Sequence, residues 1–203
     1  MPLSPHTFDQ LTGLPAQAHL LAQLERAHQA MVERRLGFAV LAVAPHDEPA
    51  LQHDMDGDAI ALGLLGMAQV FRDSLRHSDG VGHLGNGRFL AYATQLRSEA
   101  DTLALAQRIH DRLRWSFVGS GHASGGTRVP ISMGVSLRLP CMAEGEAADL
   151  VHEALQALAL AQQSNGGALR LFTAPEPLSP PPSRLDPLRP HGGQRRTDSE
   201  PWR

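Results

Sequence analysis

Two short polar segments near the middle of the chain have residue types suited to binding a nucleotide. The first reads Arg76-His77-Ser78-Asp79, and five residues later the second reads Gly85-Asn86-Gly87-Arg88-Phe89. An arginine can donate in a fork to a phosphate or to guanine O6 and N7, and an aspartate accepts from the N1 and N2 hydrogens of guanine. If a helix is still turning there, Arg76 and Asp79 lie side by side, as residues three apart do.

The spacing of apolar residues predicts the elements that position these segments. Asn86-Gly87 is a strong turn signal, so we expect a hairpin of Val81–Leu84 and Arg88–Thr94. A helical stripe that follows Asp58 leads into the Arg76 segment. Further strands are expected over 36–44, 127–138 and 168–172, and further helices over 15–35, 98–115 and 147–163. The order after the leading helix is βαββαβαβ, which is typical of the α+β class.

Composition excludes several classes of protein. The net charge of −3 argues against generic nucleic-acid binding. The single cysteine, Cys141, rules out an internal disulfide and fits a reducing cytosol. The longest apolar runs, 36–43 and 59–71, are too short to span a bilayer, and no signal peptide is read. We therefore expect a cytoplasmic protein without a membrane segment.

The basic residues and the C-terminal segment each carry a further expectation. All 18 basic residues are arginine, so no lysine is available in this sequence to hold a phosphate. From Ala174 the chain becomes rich in proline and arginine and poor in apolar residues. Such a segment cannot bury enough apolar surface to order itself, so residues 174–203 are predicted to be a disordered tail.

Five motifs, in order, resemble those of GGDEF domains, the diguanylate cyclase family. They are Phe8-Asp9-Gln10-Leu11-Thr12-Gly13-Leu14-Pro15, the strand Phe38–Val43, Gly57-Asp58 before an apolar helix, Ile131–Ser136, and the last helix and strand over 148–172. The likeness covers residues 6–173. It implies a nucleotidyl-cyclase-like domain over residues 1–173, with a central, mostly antiparallel five-stranded sheet flanked by helices.

The resemblance also indicates that the metal-binding acids of the family are missing. Synthesis of cyclic di-GMP needs Mg²⁺, which prefers carboxylate oxygens. In the signature hairpin, Gly87 stands at the first acidic position, and Arg88 reverses the charge of the second. The first strand ends Val43-Ala44-Pro45, and a register shifted by three residues places Leu41 at the acidic position. We expect Pro45 to break this strand before His46, Asp47 and Glu48.

Two other parts of the family's substrate site are altered in this chain. The guanine-reading asparagine belongs to the stretch between Pro45 and Gly57, which is about three residues short by our alignment. The last helix has Ala161-Gln162-Gln163-Ser164-Asn165 where the family has a lysine that meets the triphosphate. The resemblance therefore predicts a degenerate signature at Gly85, Asn86, Gly87, Arg88 and Phe89, no metal, no cofactor and no cyclase activity.

A ligand site of the family is, by contrast, retained. The inhibitory site reads R-x-x-D five residues before the signature, where Arg76 and Asp79 stand, and Arg108 lies near a second ligand arginine. The resemblance predicts cyclic di-GMP binding at these three residues. Alternatively, Asp73 with Arg76, or Arg72 with Asp79, form surface salt bridges, and Arg108 belongs to a solvated helix face. Arg72 and Arg76, four residues apart, would also place two positive charges on one helix face.

Three functions remain open at this point. The first is a catalytically inactive receptor that binds cyclic di-GMP and passes the signal to a protein partner, such as another GGDEF protein or an EAL phosphodiesterase. The second is a pseudo-enzyme scaffold that binds no nucleotide and regulates a partner cyclase or phosphodiesterase. The third is a surviving diguanylate cyclase. A homodimer bridged by the dinucleotide is compatible with the first.

Overall fold

The computed structural model of the chain describes residues 7–47, 56–114, 130–142, 145–164 and 167–173. In this part of the chain, five strands form one sheet with the order β2-β3-β1-β4-β5. The elements in chain order are α1 (Gln17–Arg34), β1 (Gly37–Pro45), α2 (Gly57–Ser74), β2 (Gly80–Gly85), β3 (Arg88–Leu96), α3 (Glu99–Leu113), β4 (Ile131–Arg138), α4 (Ala147–Gln162) and β5 (Leu169–Leu171). Only β4 and β5 pair in parallel among these strands. The predicted mostly antiparallel five-stranded sheet flanked by helices is confirmed.

Strand β1 is the centre of the sheet, and its continuous apolar sequence explains why. All nine of its residues are buried, because helices cover both faces of the sheet. Leu41 and Val43 join a core with α2 and α3, whereas Val40 and Ala42 join a core with α1 and α4. This alternation follows from the two-residue period of side chains along a strand.

Strand β1 ends at Pro45, before His46 and Asp47, as the sequence predicts. Pro45 pairs with Ile131 of β4, and the next residue, His46, donates its backbone N–H to the carbonyl oxygen of Pro130 at 2.7 Å. Alternate residues of a strand direct their N–H groups to opposite sides. The backbone nitrogen of Pro45 therefore points toward β3. Because pairing between β1 and β3 has already ended at Val43, the missing N–H of proline removes no hydrogen bond from the sheet.

Helix α4 packs on β4 more closely than a side chain would permit. A Cβ atom added to Gly134 would lie 2.1 Å from the backbone nitrogen of Leu158 and 2.2 Å from the carbonyl oxygen of Ala154. Ser136 reinforces the contact, since its hydroxyl donates to the carbonyl oxygen of Leu150 at 2.6 Å. The backbone of α4 is thus in direct contact with the sheet.

The segment before α1 runs along the outer side of β2. Ala16 forms a parallel bridge with His83, and the backbone N–H of His83 donates to the carbonyl oxygen of Pro15 at 3.1 Å. A Cβ atom on Gly82 would lie 2.6 Å from the same carbonyl oxygen, so this approach also depends on glycine. The segment therefore covers part of one edge of the sheet.

Several predictions fall on residues outside this description. They concern Trp115 of the predicted 98–115 helix, the start of the predicted 127–138 strand, most of the stretch between Pro45 and Gly57, and the tail 174–203. Among the helices that are described, none combines the length and apolar character needed to cross a bilayer.

Candidate functional site

Arg76 and Asp79 lie in a turn beyond α2, not on the helix. The helix ends at Ser74, and the next residue, Leu75, is extended with φ −92° and ψ 151°. The Asp79 carboxylate then accepts from the backbone N–H of Arg76 at 2.9 Å, and the Asp79 N–H donates to the Arg76 carbonyl at 3.0 Å. The two residues are therefore joined through the backbone of Arg76, and the helix on which their side chains would have been adjacent has already ended.

The same carboxylate fastens the turn to strand β3. Its Oδ1 atom accepts from the backbone N–H of Thr94 at 3.0 Å and lies 3.1 Å from the Thr94 hydroxyl. Oδ2 accepts only the Arg76 N–H among the bonds described. A carboxylate oxygen has about two lone-pair sites, so Oδ2 retains one. Asp79 thus holds the turn against β3, and its carboxylate can accept about one more hydrogen bond from a ligand.

The alternative salt bridges do not form. The guanidinium of Arg72 donates to the carbonyl oxygen of Thr12 at 2.5 Å, which directs this side chain toward the N-terminal segment. Asp73 lies 3.4 Å from Arg112 of α3. Because Arg76 lies beyond the end of α2, Arg72 and Arg76 do not share a helix face, and that prediction was wrong.

The structure brings Arg76, Asp79 and Arg108 together in one groove. The groove has a volume of about 560 Å³ and lies between the turn after α2, the end of β3 and one face of α3. Arg76 and Arg108 are exposed, and a guanidinium nitrogen of Arg108 donates to the carbonyl oxygen of Ser74 at 3.2 Å. This bond holds the α3 arginine beside the turn.

Three polar residues of this groove were missed by the sequence reasoning. Gln95, Arg97 and Asp101 line it and are exposed. Asp101 and Arg108 are seven residues apart on α3, which places them on one helix face, so the sequence did contain a signal for Asp101.

Gln95 reaches the groove through a bulge in β3. Thr94 pairs with Phe38 and Leu96 pairs with Gly37, which leaves Gln95 unpaired between them with φ +58°. A bulge re-aims the side chains beside it and bends the strand. The end of β3 that carries Gln95 and leads into Arg97 is therefore turned away from the regular ladder.

The signature hairpin forms where the sequence predicts it. Asn86 and Gly87 have φ values of +51° and +73°, as the two central residues of a type I′ turn require. Gly87 is buried, and a Cβ atom there would lie 3.3 Å from the Pro45 ring. Arg88 is exposed at the start of β3. The tip of the hairpin therefore packs directly on the end of β1.

Other side chains also contact the end of β1. The amide of Gln162 donates to the carbonyl oxygen of Pro45 at 3.1 Å, and His46 Nδ1 lies 3.1 Å from the hydroxyl oxygen of Ser132. Among the described residues, no group of three or more His, Cys, Asp or Glu side chains is placed to hold a metal ion. Glu48, His53 and Asp54 lie outside the description.

A separate polar contact holds the N-terminal segment on β2. Asp9 accepts from the backbone N–H and the hydroxyl of Thr12 at 2.7 Å and 2.6 Å, and its Oδ2 lies 3.1 Å from Nδ1 of buried His83. Burial alone would raise the pKa of the Asp9 carboxyl, but the Thr12 hydrogen bonds and His83 outweigh it, so the pKa lies below the usual 3.8.

This contact gives a pH-dependent prediction for Asp9→Asn. A carboxyl whose pKa is lower in the folded state contributes stability above its unfolded pKa and loses it as the pH falls through the folded value. At neutral pH we expect the variant to unfold more easily by on the order of 1 kcal/mol. The difference should shrink as the pH falls below 3.8. The measurement is urea unfolding of wild type and Asp9→Asn from neutral pH to below 3.8. A difference in the free energy of unfolding that does not depend on pH would contradict the assignment to the Asp9 charge.

Comparison with known proteins places this geometry in context. The family model described as "Diguanylate cyclase, GGDEF domain" matches residues 6–167. The chain is 31% identical over 170 residues to the diguanylate cyclase TpbB of Pseudomonas aeruginosa, an alignment that covers 83% of this chain and 38% of TpbB. The chain thus spans about two-fifths of the length of the curated relatives it matches.

Solved structures agree with this match. A structure that comprises only the GGDEF domain of TpbB (YfiN) superposes with a TM-score of 0.70 at 27% identity, covering 82% of this chain and 94% of that one. The GGDEF domain of DgcB from Caulobacter crescentus, solved in complex with c-di-GMP, has a TM-score of 0.71 at 13% identity, covering 85% and 99%. Motifs, strand order and family match agree, and the chain belongs to the GGDEF domain family of diguanylate cyclases.

Proposed function

We propose that this GGDEF domain is a receptor for cyclic di-GMP that does not itself synthesise the dinucleotide. The observation that carries the proposal is the groove that gathers Arg76, Asp79 and Arg108 near the end of β3, in a domain whose signature turn at the start of β3 has no acids. The DgcB domain, which has the same fold, was solved with this ligand. The proposal assigns the corresponding role to the groove of this chain.

The charges of the groove support binding of an anionic ligand. Three arginines, Arg76, Arg97 and Arg108, line it against two carboxylates, Asp79 and Asp101. In the described part of the chain, none of these five side chains forms an ion pair with another of them. Cyclic di-GMP carries two phosphates, and guanidinium groups bind phosphates and guanine edges in a forked arrangement. The groove therefore offers positive charge that a dinucleotide would balance.

The hairpin and the end of β1 support the absence of synthesis. Gly87 has no side chain to ligate a cation, and the space beside it is taken by the Pro45 ring. Arg88 adds a positive charge where the family has an acid, which repels Mg²⁺. Gln162 occupies the position of the triphosphate-binding lysine and donates to the Pro45 carbonyl oxygen instead. The proposed loss of metal binding and the proposed loss of triphosphate binding thus rest on different residues.

Two measurements on the purified chain test the proposal. Isothermal titration with cyclic di-GMP should give saturable micromolar binding, and incubation with GTP and Mg²⁺ should give no dinucleotide by chromatography. A dinucleotide product would contradict the loss of catalysis and support a surviving cyclase. An absence of heat and of any thermal shift would contradict the receptor and leave the scaffold that acts on a protein partner.

A further inference from the structure

We infer that Asp101, in the first turn of α3, supplies a second acceptor for the guanine edge in this groove and sets the preference for guanine over adenine. This inference rests on the proposed function, because it concerns the same ligand and the same groove. It assigns to Asp101 a role that the R-x-x-D motif would otherwise give to Asp79 alone.

The bonds of Asp79 are the first reason. Guanine presents two hydrogens together on its Watson–Crick edge, at N1 and N2, and a single carboxylate satisfies both only if each oxygen is open. In Asp79, Oδ1 accepts from the Thr94 N–H at 3.0 Å and lies within 3.5 Å of the Ser78 and Thr94 hydroxyls. Oδ2 already accepts from the Arg76 N–H at 2.9 Å. Asp79 can therefore receive about one more donor without giving up a bond that holds the turn.

The position of Asp101 is the second reason. Its side chain is exposed and lines the same groove as Asp79 and Arg76. Its backbone N–H donates to the Ser98 hydroxyl at 3.1 Å, whereas its carboxylate has no hydrogen bond or ion pair within the described chain. Both oxygens of Asp101 are thus open on the α3 side of the groove.

The neighbours of Asp101 define the class of ligand. Arg97 lies just before α3 and Arg108 lies on it, and both line the groove, so the carboxylate of Asp101 shares the groove with guanidinium groups suited to phosphates. A carboxylate only accepts, so it favours a base edge with two donors. Adenine presents one donor and one acceptor on that edge, and its ring nitrogen would meet the carboxylate oxygen without a hydrogen between them. The expected ligand is a guanine-containing dinucleotide.

The test compares Asp101→Asn with wild type by titration with cyclic di-GMP and with cyclic di-AMP. Loss of a charged acceptor should weaken cyclic di-GMP binding about tenfold or more and narrow the preference over cyclic di-AMP. Glu99→Gln is the matched control, because Glu99 makes the same contribution to the charge of the first turn of α3 but does not line the groove. Its affinities should equal those of wild type.

The outcomes distinguish a failure of the receptor function from a failure of the role assigned to Asp101. If wild type binds neither dinucleotide, the receptor function fails and the role of Asp101 fails with it. If wild type binds cyclic di-GMP and Asp101→Asn retains its affinity and preference, the receptor stands and the inference about Asp101 is wrong. If Glu99→Gln weakens binding equally, the effect belongs to the charge of the helix terminus, which also overturns the inference. Equal melting temperatures of the three proteins exclude an effect of misfolding.

Discussion

Replacing Arg76 with alanine is expected to weaken cyclic di-GMP binding by about 10- to 100-fold without destabilising the domain. A forked, charge-assisted contact to phosphate or guanine accounts for a loss of this size. The fold should tolerate the change because Asp79 holds the backbone N–H of Arg76 and not its guanidinium. The side chain itself is exposed. Function and stability are therefore separable at this residue.

Titration calorimetry and thermal unfolding measure the two quantities, and Arg114→Ala is the matched control. Arg114 is an exposed arginine at the end of α3 that does not line the groove, so its removal changes the net charge equally. If both variants lose the same affinity, binding reflects overall charge and not a site at Arg76. An affinity of Arg76→Ala equal to that of wild type would contradict the assignment of the groove.

Gly134→Ala is expected to destabilise the domain by at least about 3 kcal/mol, or to prevent folding. The added Cβ would lie at 2.1 Å and 2.2 Å from backbone atoms of Leu158 and Ala154. Backbone atoms within a helix cannot rotate aside as a flexible side chain does, so α4 must separate from β4 along the contact. Native domains are stable by only about 5–15 kcal/mol, so this loss is a large share of the total.

Urea unfolding followed by circular dichroism measures the effect, and Gly57→Ala provides the control. Gly57 begins α2, and nothing lies within 4 Å of a Cβ atom placed there. Alanine favours a helix over glycine by about 0.5–1 kcal/mol, so this variant should be as stable as wild type or slightly more so. A stable Gly134→Ala protein would show that α4 does not lie against the sheet as described.

The hairpin and the central strand could be predicted because their signals are local. Asn86-Gly87 has the residues that a type I′ turn needs, and the apolar run over β1 fits a strand buried on both faces. The end of α2 could not be predicted in this way. Leu75 turns away from the helix while Asp79 bonds to Thr94, a residue 15 positions further along the chain. Apolar periodicity contains no information about such a bond.

The partners of the α2 arginines illustrate the same limit. Spacing along the helix suggested that Arg72 belonged with Arg76 or Asp79, but its acceptor is Thr12, 60 residues earlier in the chain. The family resemblance, in contrast, grouped Arg76, Asp79 and Arg108, three residues that do line one groove. It did not indicate that the Asp79 carboxylate is largely occupied by the protein itself.

The segment that runs along β2 also limits how this domain can assemble. An exposed strand edge invites a second chain to extend the sheet. Here the N–H of His83 on that edge already donates to the Pro15 carbonyl oxygen. At the opposite edge, β5 has only three residues, Leu169–Leu171, which is a short template for pairing. Addition of a strand from a second copy is therefore disfavoured at both edges of the described sheet.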